Sequence, residues 1–144
     1  MIKHSAGILI SAEVDGELRY LFVHPTNASW YGTYSIPKGE YTDEYPLTAA
    51  LREVQEEVGL AFKDLEIDKK EPEIVKYKNK KGKVYKTVTV YFLRTDFSKI
   101  KDKFNKDLSI KIENLQLEEV NWAGFLTLGK LESRIFYRFK HLLF

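Results

Sequence analysis

The sequence predicts an α/β fold of the α+β kind, an α/β/α sandwich in which a mixed, largely antiparallel sheet lies between two helices. Three observations point there. Apolar residues recur with helical spacing in two stretches, 46–58 and 127–142. Strand-like runs come as hairpins joined by short turn sequences. The regular β–α–β alternation of a parallel, doubly wound sheet is missing.

Taken in order, residues 5–11 and 18–24 are apolar runs separated by Glu13-Val14-Asp15-Gly16-Glu17. Asp-Gly is a turn signal, so the pair forms a β-hairpin. Residues 25–33, which include Trp30 and Tyr31, form a loop, and Tyr34-Ser35-Ile36 is a short strand ending at Pro37. A helix runs from about Pro46 to Val58. Proline suits the first helical position, where its missing N–H costs nothing. Leu47, Leu51, Val54 and Val58 make one apolar stripe, and Gly59 can end the helix in the left-handed conformation. Residues 73–81 and 83–94 alternate and are rich in Val, Tyr and Thr, with Lys80-Lys81-Gly82 between them, which gives a second hairpin. Residues 96–116 are polar and irregular and are expected to be loop. Glu119-Val120-Asn121-Trp122-Ala123 has the composition of one more strand. Thr127 can cap a final helix whose stripe is Leu128, Leu131, Ile135, Phe139 and Leu142.

The 144 residues are enough for one domain spanning 1–144, with no repeat, linker or low-complexity segment. Hydrophobic residues make up 44% and charged residues 31%, the balance of a globular chain rather than a disordered one. No apolar run reaches the roughly 18 residues of a membrane span, and the N-terminal apolar stretch is too short for a signal peptide. There are no cysteines, which excludes disulfides, thiolate chemistry and zinc–thiolate sites. Together these features favour a cytoplasmic protein without membrane contact.

A net charge of +2 decides nothing about partners, but its distribution is uneven. Six lysines and no acid lie between Lys76 and Lys86, and six acids with one base, Arg52, lie between Glu40 and Leu60. An acidic cluster facing a basic one suits a metal-bound polyphosphate; two solvated surfaces are the plainer explanation.

The helix carries the chemistry. Glu53, Glu56 and Glu57 stand at i, i+3 and i+4 and share one face. Like charges at that spacing cost about 0.2–0.5 kcal/mol per pair. Glu56 and Glu57 also lie in the last turn, where the helix dipole disfavours anions. Arg52 offsets part of this through an i+4 pair with Glu56. A hard divalent cation would reverse the balance, because Mg²⁺ takes oxygen ligands and keeps several waters. An exposed acidic face is the competing explanation. The preceding Ile36-Pro37-Lys38-Gly39-Glu40 supports the first: Gly39 permits close approach of the backbone to a ligand, and Lys38 can meet a phosphate as a point charge.

The segment Gly39–Leu60 resembles the Nudix box. That family's pattern is glycine, five residues, glutamate, seven residues, then Arg-Glu-apolar-x-Glu-Glu-x-Gly-apolar. Here Glu44 is followed by residues 45–51, and Arg52, Glu53, Val54, Gln55, Glu56, Glu57, Val58, Gly59 and Leu60 match the remaining positions in turn. Only residues 40–43 separate Gly39 from Glu44, so the loop is one residue shorter than the pattern. The layout of strands and helices around the box also looks like the Nudix fold.

The resemblance implies metal-dependent hydrolysis of a phosphoanhydride in a nucleoside diphosphate linked to a group X, with Mg²⁺ or Mn²⁺ as cofactor. Glu53, Glu56 and Glu57 sit at the family's metal and base positions. Glu57 and Glu53 come first as ligands, Glu56 next as ligand or base, and the Gly39 carbonyl is the expected backbone ligand. Arg52 completes the catalytic group by orienting the glutamates, and Glu44 matches a more structural position. Some relatives take the base from a loop before the last strand, where Glu118 and Glu119 lie here; a surface role is the alternative for each.

Substrate selection lies outside the box. Trp30 and Tyr31 could stack on a base, and His24 could touch phosphate, although packing and a structural hydrogen bond serve equally well as explanations. The lysine hairpin could hold the far phosphates of a long polyphosphate or simply guard a sheet edge. The expected partner is a small nucleotide or polyphosphate: dinucleoside polyphosphates first, (deoxy)nucleoside triphosphates second. The alternative is a non-catalytic Nudix-like nucleotide-binding or sensor domain, a class in which box glutamates are usually lost. A nucleic-acid partner is not expected from a net charge of +2, and the sequence leaves the oligomeric state open.

Overall fold

The computed structural model describes residues 1–68 and 70–144. β1 (Lys3–Val14) and β2 (Glu17–Pro25) form the first hairpin, antiparallel, with Ile10 opposite Leu21. Asp15 and Gly16 have φ of 51° and 79°, the left-handed pair that an Asp-Gly turn supplies. β3 (Lys38–Glu40) pairs antiparallel with residues 5–7 of β1. α1 (Pro46–Val58) follows, then the short β4 (Leu65–Ile67). β5 (Glu73–Lys78) and β6 (Val84–Thr95) make the second hairpin, and β6 runs parallel to β1 with Ser5 opposite Val88. After the four-residue α2 (Phe97–Ile100), β7 (Val120–Leu126) pairs antiparallel with β2.

The main strand order is β4-β6-β1-β2-β7, with β3 also on β1 and β5 also on β6. One parallel pair among antiparallel ones gives the mixed sheet that the sequence predicts. Along one side β1 holds β3 at residues 5–7 and β2 at residues 10–14, so the sheet forks there.

Alternation along β1 sends its two faces into two cores. Ala6, Ile8, Ile10, Ala12 and Val14 pack with Ala49, Ala50, Val54 and Val58 of α1. On the other face Leu9 joins Val88, Val90 and Phe92 of β6 with Leu131, Ile135, Phe139 and Leu142 from the C-terminal segment. Burying an aliphatic side chain contributes about 1.5–3 kcal/mol, so both layers hold the sheet.

Several elements differ from expectation. The apolar face of α1 is built on Ala49, Ala50, Val54 and Val58, while Leu47 is exposed and Leu51 half-buried. Two alanines let the helix sit close on β1, where leucines would hold it off. Tyr34 and Ser35 form isolated bridges rather than a strand, and the strand comes after Pro37 instead. Pro37 has no N–H to give a ladder, and its carbonyl accepts from the Ile8 N–H.

The last helix stops early. Thr127 caps it as expected, accepting from the Lys130 N–H, but α3 spans only Leu128–Leu131, and a 3₁₀ segment covers Tyr137–Leu142. Tyr34 causes the break: its N–H donates to the Arg134 carbonyl and its own carbonyl accepts from Phe136. Those bonds draw residues 134–136 out of the helix while Leu131, Ile135, Phe139 and Leu142 stay buried. The 96–116 stretch holds α2, capped by Asp96 on the Ser98 N–H, and 3₁₀ turns at 101–103 and 112–114. Among the described residues, no helix is long and apolar enough to cross a membrane.

Candidate functional site

α1 begins with Pro46 at its first turn and ends at Gly59, whose φ of 75° is the left-handed cap. No acid stands in its first turn and no base in its last, so within the helix the balance for Glu56 comes from Arg52, one turn back. Neighbouring segments tie down the helix end. Lys103 donates from Nζ to the Gly59 carbonyl, and the Gln116 N–H donates to the Glu57 carbonyl at 3.1 Å. The second bond docks the 115–119 loop on the helix end. Thr26 holds its other side, donating from N to the Glu119 carbonyl (3.0 Å) and from Oγ1 to the Leu117 carbonyl (2.7 Å).

The three glutamates differ in environment. Glu57 is only 4% exposed. Burial pushes its carboxyl up to about 9, helped by the neighbouring Glu53 carboxylate. The Glu53 side chain is largely buried and takes an ion pair from Arg52 Nη1 at 2.9 Å. Glu56 is half-exposed and meets the same Nη1 at 3.3 Å. The other edge of Arg52 grips Glu44, with Nη2 2.6 Å from Oε1 and Nε 3.0 Å from Oε2. That fork raises the guanidinium pKa and holds the Glu44 carboxyl below its ordinary value.

Gly39 faces α1 across the gap beside β3. A Cβ there would overlap the Glu53 carboxylate. The absent side chain thus makes room for Glu53 itself. Lys38, the preceding residue, projects to the opposite side of β3. Burial and nearby Lys86 lower its pKa, while Glu57, Glu53 and Glu119 pull it back up.

A cavity of about 380 Å³ gathers these groups: Lys38, Gly39, Glu53, Glu56, Glu57 and Glu119, with Ser5, Glu40, Lys86 and Gln116. Glu119 therefore lines the cavity with the helix glutamates and Glu118 does not, although both are exposed. Lys38 and Lys86 also line a second cleft of about 290 Å³ with Pro25, Ala28, Thr33, Ser35, Tyr77 and Phe136. One cavity is acidic, the other mostly apolar, and the two lysines stand between them.

His24, Trp30 and Tyr31 lie apart from the glutamates. His24 is fully buried, with Nε2 2.9 Å from the Ser29 carbonyl and Nδ1 2.6 Å from the side-chain amide of Asn121. Trp30 lies flat on it, ring centroids 3.6 Å apart, and keeps 55% of its surface exposed. Tyr31 is 80% exposed. Sequence reasoning does not single out Phe136, places Tyr77 facing the sheet, and gives Lys86 only as one lysine of the hairpin that could hold far phosphates. For Lys86 a signal was present: it continues the parity of Val88, Val90 and Phe92, so it is the lysine of the run on the packed face.

Among the described residues, no three acidic, histidine or cysteine side chains form a preassembled metal cage. The donor set still fits a hard cation of the magnesium type, which is held by one or two carboxylates plus substrate phosphates and water. Glu57 and Glu53 are neighbouring oxygen donors in a largely buried site, and both burial and the Glu53 charge disfavour the charged form of Glu57, a cost that a bound dication would offset.

Comparison with known proteins agrees with this architecture. A family model described as the NUDIX domain matches residues 1–138. No curated protein sequence matches the chain. Among solved structures, the fold is similar to a C. elegans Ap4A hydrolase binary complex, at TM-score 0.68 and 21% identity over 99% of this chain and 98% of that one. It is similar to the NUDIX domain of Shewanella oneidensis NrtR complexed with ADP ribose, at TM-score 0.66 and 13% identity over 100% and 90%. A mutT/nudix family protein from Listeria innocua follows at 0.66 and 14%, over 98% and 88%. With the family match spanning nearly the whole chain and the box residues gathered on α1, the chain belongs to the NUDIX family of hydrolases.

Proposed function

We propose that this hydrolase cleaves a phosphoanhydride in nucleoside diphosphate-X compounds, with dinucleoside polyphosphates as first substrates and nucleoside triphosphates as second. The observation that carries the reading is the position of Lys38 and Lys86 between a carboxylate cavity and an apolar cleft. Phosphates belong at the lysines and carboxylates, and a base belongs beside Tyr77 and Phe136. One structural neighbour is an Ap4A hydrolase and another is complexed with ADP ribose; both compounds contain an adenosine diphosphate unit, which supports the substrate class.

Glu57 and Glu53 would hold Mg²⁺ or Mn²⁺, with Glu56 and the Gly39 carbonyl as further donors. A bound dication supplies neutralisation of diphosphate charge and a more acidic water. Lys38 contacts the phosphate that carries the developing charge. Arg52 holds Glu53 and Glu56 in place through Nη1. Glu119 is our choice of general base: among the described residues its carboxylate makes no hydrogen bond or ion pair, and it shares the cavity with Lys38 and Glu57.

The test is product release with Mg²⁺ across diadenosine polyphosphates, nucleoside triphosphates and sugar nucleotides. Preference for the diadenosine compounds is expected. Binding of these nucleotides without turnover of any would instead favour a sensor.

A further inference from the structure

Ser5 lines the carboxylate cavity without belonging to its acids or its lysines. It stands near the start of β1 and is only 1% exposed. Among the described residues its hydroxyl makes no hydrogen bond. Nor is that hydroxyl sealed off: among the same residues, the fully enclosed side-chain polar atom without a partner is Arg19 Nε. The Ser5 oxygen therefore opens onto the cavity that it lines with Lys38 and Lys86.

Sheet register fixes what surrounds it. Directly opposed residues on neighbouring strands share a face, and side chains alternate along each strand. Gly7 of β1 is opposite Lys38 of β3, and Lys3 of β1 is opposite Lys86 of β6. Ser5 lies midway between Gly7 and Lys3 on that same face. A lysine, the serine and a lysine thus fall on one diagonal across β3, β1 and β6, a spacing that long side chains can span. Gly7 admits Lys38 to this row: a Cβ on Gly7 would lie 2.7 Å from Lys38 Cβ and 2.7 Å from the Pro37 carbonyl oxygen. The two lysines are near enough for Lys86 to help lower the Lys38 pKa.

The fold has no use for a serine here. Alanine would fill the same space, and buried polar groups are nearly always paired, so an exception calls for a reason. Glu40 is directly opposite Ser5, but its carboxylate pairs with Lys3 at 3.9 Å. The two ammonium groups offer no acceptor. An oxygen-rich anion set between the lysines suits all three groups. Lysines neutralise its charge as mobile point charges, whereas a hydroxyl on a strand fixes one of its oxygens in place. We propose that the Ser5 hydroxyl donates to a non-bridging oxygen of the substrate phosphate held between Lys38 and Lys86, which makes Ser5 a phosphate-binding residue. The inference rests on the nucleotide-hydrolase reading.

Ser5→Ala tests it, because binding and folding should respond differently. Calorimetric titration in Mg²⁺ with adenosine 5′-(α,β-methylene)diphosphate, which offers two phosphates without a cleavable anhydride, reads binding. A melting curve without nucleotide reads the fold. Kd should weaken about tenfold, the scale of one hydrogen bond to a charged group. The melting temperature of the free protein should not fall, since the hydroxyl has no protein partner to lose. An unchanged Kd overturns this proposal alone. A weaker Kd accompanied by a lower melting temperature also overturns it, because the serine then serves the fold rather than the phosphate. Failure of the wild-type chain to bind the probe overturns it together with the reading beneath it.

Discussion

Arg52 holds Glu44 with one edge of its guanidinium, Nη2 to Oε1 at 2.6 Å, and Glu53 with the other, Nη1 to Oε1 at 2.9 Å. Glu44 precedes the helix and so fixes the arginine that orients the site. Glu44→Gln removes the charge from this fork and frees Arg52 to swing toward Glu56. We expect kcat to fall about tenfold with KM little changed, as for loss of a positioning contact. Both side chains are partly exposed, so thermal stability should barely move. Steady-state kinetics beside a melting curve separates the two effects.

Gly39→Ala tests how closely Glu53 is fitted. Gly39 has no positive φ, so alanine suits its backbone. The added methyl overlaps the Glu53 carboxylate and must displace it. The expected outcome is a folded protein with kcat reduced about 100-fold, the scale of a misplacement of about 1 Å. An unchanged kcat would show that Glu53 is free to take another position without loss.

Glu57 links the site to stability. Its folded-state value of about 9 stands above the ordinary 4.5. Between those values the folded chain keeps a proton that the unfolded chain has released, so stability is full below about pH 4.5 and declines as pH rises toward 9. Glu57→Gln removes the burden. Without metal at pH 8 it should melt higher than wild type by about 3 °C or more, roughly 1 kcal/mol, and the difference should vanish near pH 4.5. Parallel pH profiles would contradict the assignment.

Glu119 and Glu118 form a matched pair. Both belong to the loop docked by Gln116 on the Glu57 carbonyl, but only Glu119 lines the glutamate cavity. Glu119→Gln should lower kcat by about 10²–10⁴, the usual contribution of a general base. Glu118→Gln should match wild type. Equal effects of the two substitutions would discard the loop base.

Local signals made much of this fold legible in the sequence. Pro46, Gly59 and the intervening spacing define α1, and Asp15-Gly16 and Lys81-Gly82 mark the two hairpin turns. What stayed hidden depends on partners far along the chain. Nothing near residue 134 shows that Tyr34 will take its carbonyl and stop the last helix. Hydropathy ranked Leu47 above Ala49 and Ala50, although close packing on β1 favours the alanines. Helical spacing put Glu53, Glu56 and Glu57 together, yet only the tertiary structure buries Glu57, leaves Glu56 half-exposed and brings Glu119 opposite. The Tyr77–Phe136 cleft joins residues of β5 and the C-terminal segment, a proximity that no local pattern encodes.

The most direct measurement is Mg²⁺-dependent hydrolysis of diadenosine tetraphosphate by wild type and Glu57→Gln, with the melting temperature of each taken with and without Mg²⁺. A carboxylate pair that holds the dication predicts at least a roughly 100-fold loss of rate in the variant, and stabilisation by Mg²⁺ in wild type only. Equal rates, or equal stabilisation of both proteins by Mg²⁺, would contradict it.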